Sequence, residues 1–198
     1  MADSSVERLA SVLVGYSASV QPGERAHEEA KRQNEAGNPI GLLIGSVFEV
    51  QDEGATPACR LVLIARHREG YGDLCELITL ARLRCAKGQY RLTVRDLDGG
   101  AAHLRGAPGC HVLLIPRRED PPEVLLAQAR WLQATFDERA AIAVELLLYA
   151  DDSLLVERLD AVAARTGLPL VAAGDVLMHL RSRKPANLSA RSKLSMVG

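Results

Sequence analysis

The strongest constraint in this chain is an alternation. Short apolar runs rich in β-branched residues take turns with longer stretches whose apolar positions recur at helical spacing. Residues 40–50, 61–65 (LVLIA), 112–115, 142–148 (IAVELLL) and 170–173 are runs of the first kind. Each is bounded by polar or turn residues, as buried strands are; for 142–148 a helix stays open as the alternative. Residues 24–35 are charged and helix-prone, preceded by a Gln21-Pro22-Gly23 break and stopped by Gly37-Asn38-Pro39. Leu74, Ile78, Ala81 and Cys85 fall at i, i+4, i+7 and i+11, one face of a helix that Lys87-Gly88 ends. Asp120-Pro121-Pro122-Glu123 opens another, with Asp120 as the cap and Leu125, Ala129, Leu132 and Phe136 as its inner stripe. Asp151-Asp152-Ser153 caps a helix carrying Leu155, Leu159 and Val162, which Gly167 and Pro169 close. Strands alternating with helices predict an α/β fold with mostly parallel pairing.

With 198 residues, 47% of them hydrophobic, the chain fills one domain core. A formal net charge of −1 excludes a global field that would draw it to nucleic acid or an anionic membrane. Bases do gather locally: Arg181, Arg183, Lys184, Arg191 and Lys193 stand in residues 181–198 without an acid, which reads first as a solvated tail. Cys59, Cys75, Cys85 and Cys110 form no Cys-x-x-Cys pair, so neither a zinc knuckle nor a redox motif follows, and Cys75 and Cys85 read as buried free thiols of a helix. The N-terminal residues have no basic segment followed by an apolar run. No run of about 18 apolar residues offers a membrane span. The expected setting is a reduced cytoplasm, with no membrane partner.

Four strings then carry a resemblance: IGSVFEV (44–50), LVLIARHREGYGDLCELITLAR (61–82), KGQYRLTVRDL (87–97) and GLPLVAAGDVLMHLRSRKP (167–185). They resemble the PHP (polymerase and histidinol phosphatase) domain of bacterial C-family DNA polymerases, and are most similar to the error-prone branch. The AR-x-REGY-x-x-LC-x-LIT-x-AR string is the most specific of them. The resemblance implies a partial PHP-type distorted α/β barrel over residues 24–185, a divergent segment at 1–23 and a basic, disordered tail at 186–198. It implies a role in DNA replication or synthesis across damage. Active members of that family hold divalent metals for phosphoester chemistry. The His-x-His and acidic-His elements of the family's first strands have no counterpart here, and its polymerase carboxylates would lie after this sequence. No cofactor and no catalytic residue are therefore expected of this chain. The expected partner is a polymerase core or a repair subunit, with direct DNA binding weak or absent. Lost leading strands would leave a sheet edge open, hence marginal stability alone. Two alternatives are an active phosphoesterase with another metal set and a non-catalytic docking module.

The resemblance also assigns positions. The family's Gly-x-Glu ligand element reads Gly45-Ser46-Val47, a valine where the carboxylate belongs. Glu49 would face the same side of the strand about 6.6 Å further on, too far to stand in, and reads as a surface carboxylate. The family's Asp-x-His element reads Asp175-Val176-Leu177: leucine offers no lone pair, and Asp175, at a residual ligand position with His179 on its face, reads first as a hydrogen-bonded structural aspartate at a strand end. His27, His67 and His103 read as solvent-facing, while Cys110 and His111, as neighbours on a strand, point to opposite faces. Arg82, Arg84, Lys87 and Arg91, with Arg95, form a basic stretch that reads as a solvated face or, in the second place, as a nucleic-acid or partner contact.

Overall fold

The computed structural model describes residues 12–14, 21–37, 41–52, 56–100 and 102–174. Seven strands form one sheet: β1 Val12–Val14, β2 Leu42–Gln51, β3 Cys59–Ala65, β4 Leu92–Thr93, β5 Cys110–Ile115, β6 Ala140–Glu145 and β7 Leu170–Ala173. Four helices lie between them: α1 Gln21–Glu35, α2 Arg68–Leu83, α3 Pro122–Phe136 and α4 Asp152–Thr166. The strand order is β1-β2-β3-β5-β6-β7, and β4 adds to β2. Only β3 runs against its neighbours β2 and β5; every other pair is parallel. The mostly parallel α/β expectation holds.

A barrel closes only when its end strands pair. Among the described residues the sheet is open, with β1 and β7 at its ends, three and four residues long and bonded to β2 and β6 alone. The described sheet thus shows no closed barrel, and the partial PHP-type barrel that the resemblance implies is not established by it.

Pleating sorts the side chains to two faces. Phe48 and Val50 of β2, Leu61 and Leu63 of β3, Val112 and Leu114 of β5 and Ile142 of β6 join one core with Leu74 and Leu77 of α2, Leu132 and Phe136 of α3, and Leu159 of α4. That face is the one α2, α3 and α4 cover. Leu61, Leu63, Leu77, Leu132 and Phe136 are fully buried, each worth about 1.5–3 kcal/mol. The opposite face carries a second apolar cluster of Val62, Ile115 and Ala143, with Val47, Ile64, Leu113 and Ala173 packed against it.

Several local expectations shift. The proposed break at residues 21–23 is the first turn of α1, because Pro22 there needs no amide hydrogen bond. The buried stripe of α2 is Gly70, Leu74, Leu77 and Ala81, with Ile78 half-buried. The helix stops at Leu83, so Cys85 lies beyond it and is only half-buried, and Cys75 is exposed; the buried thiols are Cys59 and Cys110 on strands. Asp120 does not cap α3: Pro121 holds that position, and the Asp120 carboxylate accepts from Gln128 Nε2 at 3.3 Å. Strand β6 ends at Glu145, leaving Leu146, Leu147, Leu148 and Tyr149 exposed where the 142–148 run predicted strand. Gly167, at φ 75°, closes α4 as expected.

Candidate functional site

The string that carries the resemblance most specifically builds a joint. Gly70, in the first turn of α2, lies against Gly109, the residue before β5: a Cβ on Gly70 would stand 1.9 Å from the Gly109 carbonyl oxygen. The Gly109 carbonyl accepts from Arg66 N at 2.9 Å, and Gly109 N donates to Asp73 Oδ2 at 2.9 Å. His67 occupies the N-cap, its Nδ1 3.3 Å from Gly70 N and 2.9 Å from Glu69 Oε2. One ring nitrogen cannot accept from the first and donate to the second at once, so the protonation of Nδ1 decides which of the two bonds is made. His67 is exposed, as expected, and its role is to start a helix.

The positions that would hold metal come out differently. Val47 packs into the apolar cluster of the sheet face opposite α2, α3 and α4, among Val62, Ile64 and Ile115, whose hydrocarbons offer no lone pair. Glu49, on the same face, is exposed and taken by two cations, Arg117 at 2.8 Å and Arg60 at 3.6 Å. It is a surface carboxylate. Among the described residues no three His, Cys, Asp or Glu side chains converge. The described part of this face therefore does not fit the metal cluster of the active family members. Asp175 and His179 lie outside the described residues.

Within the basic stretch the cations have separate fates. Arg84 forks onto the buried Asp96, Nη1 to Oδ2 at 2.8 Å and Nη2 to Oδ1 at 3.0 Å, while Thr93 donates to the same carboxylate through its amide and hydroxyl. Burial would raise the Asp96 carboxyl; the hydrogen bonds from Arg84 and Thr93 outweigh it, and the net shift is downward. Arg84 is thereby a structural residue. Arg82, Lys87 and Arg91 stay exposed. The Arg91 amide donates to the Ala81 carbonyl at 3.0 Å, which folds the stretch back beside the end of α2. Tyr90 reaches across to β2, its hydroxyl accepting from Glu49 N at 2.9 Å. Arg82, Tyr90, Ser46, Phe48 and Ile78 line a cavity of about 70 Å³ between α2 and β2.

The described cysteines and the other described histidines are structural or solvent-facing. Burial pushes the Cys59 thiol up to about 12, with Glu49 adding to it, and the Cys110 thiol to about 12, with Asp73 adding to it. His111 is exposed and Cys110 buried, as their opposite faces require. Partial burial, then the Arg66 and Arg139 charges, hold the His111 imidazole below its ordinary value. His103 pairs with Glu76 at 2.7 Å on the surface, and His27 is exposed.

A hub that no sequence motif announces sits on Arg118. Its guanidinium donates to Asp151 at 2.9 Å, to Asp152, and to the Glu145 carbonyl at 3.2 Å, and it lies 4.7 Å over the Tyr149 ring. Asp152 also accepts from Leu148 N at 2.9 Å. The Asp151-Asp152 doublet thus anchors a loop instead of capping α4 through a side chain. The loop it anchors presents Leu148, 98% exposed at φ 62°, together with Leu146, Leu147 and Tyr149. Buried Gln128 donates to the Ala58 carbonyl at 2.7 Å, and Trp131 Nε1 donates to Asp98 at 2.8 Å.

Together these features define an α/β module: a mixed, open sheet with helices α2 to α4 on one face, and no catalytic constellation among the described residues. No family model matches the chain. It is similar to the error-prone DNA polymerase of Ralstonia nicotianae, 48% identical over 164 residues, 81% of this chain and 15% of that protein. The error-prone DNA polymerases of Bordetella parapertussis, 46% identical over 81% of this chain, and Burkholderia mallei, 40% identical over 93% of it, are likewise similar. The chain spans 15% to 18% of the length of these relatives. No helix of the described residues is long and apolar enough to cross a membrane.

Proposed function

We propose that this chain is a PHP-type module of the C-family, error-prone kind and serves DNA synthesis across damage as a structural domain, contributing neither phosphoester hydrolysis nor nucleotide transfer. The relatives of 40% to 48% identity support the polymerase connection. The observation that carries the non-catalytic part is Val47: where the family resemblance asks for a carboxylate, a hydrocarbon side chain packs against Val62 and Ile115. The matching assay offers the purified chain a nitrophenyl phosphodiester and, separately, a primed template with all four nucleotides, with manganese or magnesium. Both should stay at the level of a heat-denatured control. Hydrolysis or template-dependent extension that follows the protein through purification contradicts the proposal.

The docking reading gains support from one place, the loop of residues 146–149. Consecutive apolar side chains exposed on a loop held by Arg118 and Asp152 are what a protein-protein contact needs at its centre. Replacing Leu147 and Leu148 with Ser should leave stability within about 0.5 kcal/mol. If the loop docks, the same pair should weaken co-purification with a polymerase core; unchanged recovery removes this reading.

A further inference from the structure

We propose that the end of α2 and the turn after it bind the phosphodiester backbone of a single-stranded nucleic acid through Arg82, Lys87 and Arg91, with Tyr90 between them. This goes beyond the polymerase reading and stands without it, because charge and geometry carry it. Residues 82–95 hold five bases and no acid in a chain whose formal net charge is −1. Of these, Arg84 is consumed by Asp96. Arg82, Lys87 and Arg91 are exposed, and none has an ion-pair partner among the described residues. Neutralisation by the described residues therefore does not account for them.

The backbone folds the stretch into one turn at the end of α2. The Arg91 amide on the Ala81 carbonyl sets Arg91 beside Arg82, and the Gln89-to-Ala86 turn at 3.0 Å carries Lys87. Two of the three cations are guanidinium groups, which meet phosphate oxygens with two parallel donors. Tyr90 is 41% exposed, and its hydroxyl accepts from Glu49 N, which ties the ring to β2 beside the cavity that Arg82 and Ser46 also line. Cations interleaved with an exposed aromatic ring suit a single strand, whose phosphates take the charges and whose base takes the ring. An acidic peptide would use the charges and leave the ring idle.

Three contacts make a weak, salt-sensitive site. Each phosphate neutralised on a single strand contributes about −0.7 to the slope of log affinity against log salt, so this patch contributes about −2. Between 50 and 200 mM salt that is a loss of roughly 20-fold. The test is the anisotropy of a labelled 20-nucleotide oligothymidine titrated with the full chain across that salt range. The patch variant R82Q/K87Q/R91Q should lower the magnitude of the slope by about 2. The conservative variant R82K/R91K should keep it, and R181Q/R183Q/K184Q, which removes tail charge, should leave the patch's share in place. Y90L should weaken binding without changing the slope. Absence of binding by the unmodified chain at 50 mM salt overturns the proposal. So does a patch variant with an unchanged slope, or polyglutamate binding as well as the oligonucleotide.

Discussion

Gly70 and Gly109 touch through their backbones: a Cβ on Gly109 would lie 2.3 Å from Gly70 Cα, and one on Gly70 1.9 Å from the Gly109 carbonyl oxygen. The contact fixes the first turn of α2 on the start of β5, and the obstructing atoms are backbone, which cannot rotate away. Gly70→Ala should therefore lower stability by about 1–3 kcal/mol or more, the usual cost of overpacking. Gly72, two residues along the same helix, has open space around it. Gly72→Ala there should raise stability by about 0.5–1 kcal/mol through helix propensity. Urea midpoints of the two variants check the contrast; equal effects would mean that the glycine joint is not tight.

Asp96 ties stability to pH. Its folded carboxyl titrates below the ordinary 3.8 because hydrogen bonds from Arg84 and Thr93 outweigh burial. A carboxyl depressed in the folded state binds protons more readily when unfolded. Its contribution is whole above 3.8 and is lost as pH falls below that value through the folded one. Asp96→Asn should cost about 1.5–3 kcal/mol at neutral pH, the range for hydrogen bonds to charged groups. The difference from the unmodified protein should shrink on acidification. Urea melts at neutral and acid pH decide it, and a penalty independent of pH would place the loss elsewhere.

The cysteines should react in two classes. Cys75 is exposed on α2, whereas burial holds Cys59 and Cys110 near 12. Only the thiolate attacks a disulfide reagent, so at pH 8 the two buried thiols should stay silent while Cys75 is labelled. Denaturant should release them together with the global transition. Labelling of Cys110 in the folded protein would indicate that β5 opens locally.

Arg118 offers a direct probe of the loop of residues 146–149. Arg118→Ala removes the donor shared by Asp151, Asp152 and the Glu145 carbonyl, and the cation over Tyr149. Limited proteolysis should cut the variant after residues 146–149 sooner, with the sheet core as protected as before. Equal cleavage would show that Asp152 and the Leu148 amide suffice to hold the loop.

Most of the element order was legible because period-2 and helical spacings record burial directly: Leu125, Ala129, Leu132 and Phe136 are the buried face they spelled. Separation of Cys110 from His111 followed from the pleat alone. Three kinds of fact were not legible. Residues 142–148 read as one run because exposure of Leu146 to Leu148 depends on Arg118, a residue 28 positions before Leu146 in the chain. Asp120 looked like a cap because local rules cannot see Gln128 drawing it inward. Arg84 looked like one more unpaired base because its partner Asp96 lies across a turn. Whether a sheet closes depends on which strand ends meet, and strand patterning does not encode that. At the candidate metal face, Val47 could be read from sequence as a missing ligand; that hydrocarbons surround it took the sheet register to see.

Metal stoichiometry tests the central claim most directly. The chain would be produced in medium replete with zinc, manganese and iron, purified without chelator, and its metal content measured against protein concentration. Val47 among Val62, Ile64 and Ile115 predicts well under one equivalent of any of the three, and a melting temperature that EDTA leaves unchanged. Roughly two or three ions held per chain, as a metal cluster for phosphoester chemistry needs, with a melt that drops on chelation, would contradict the account.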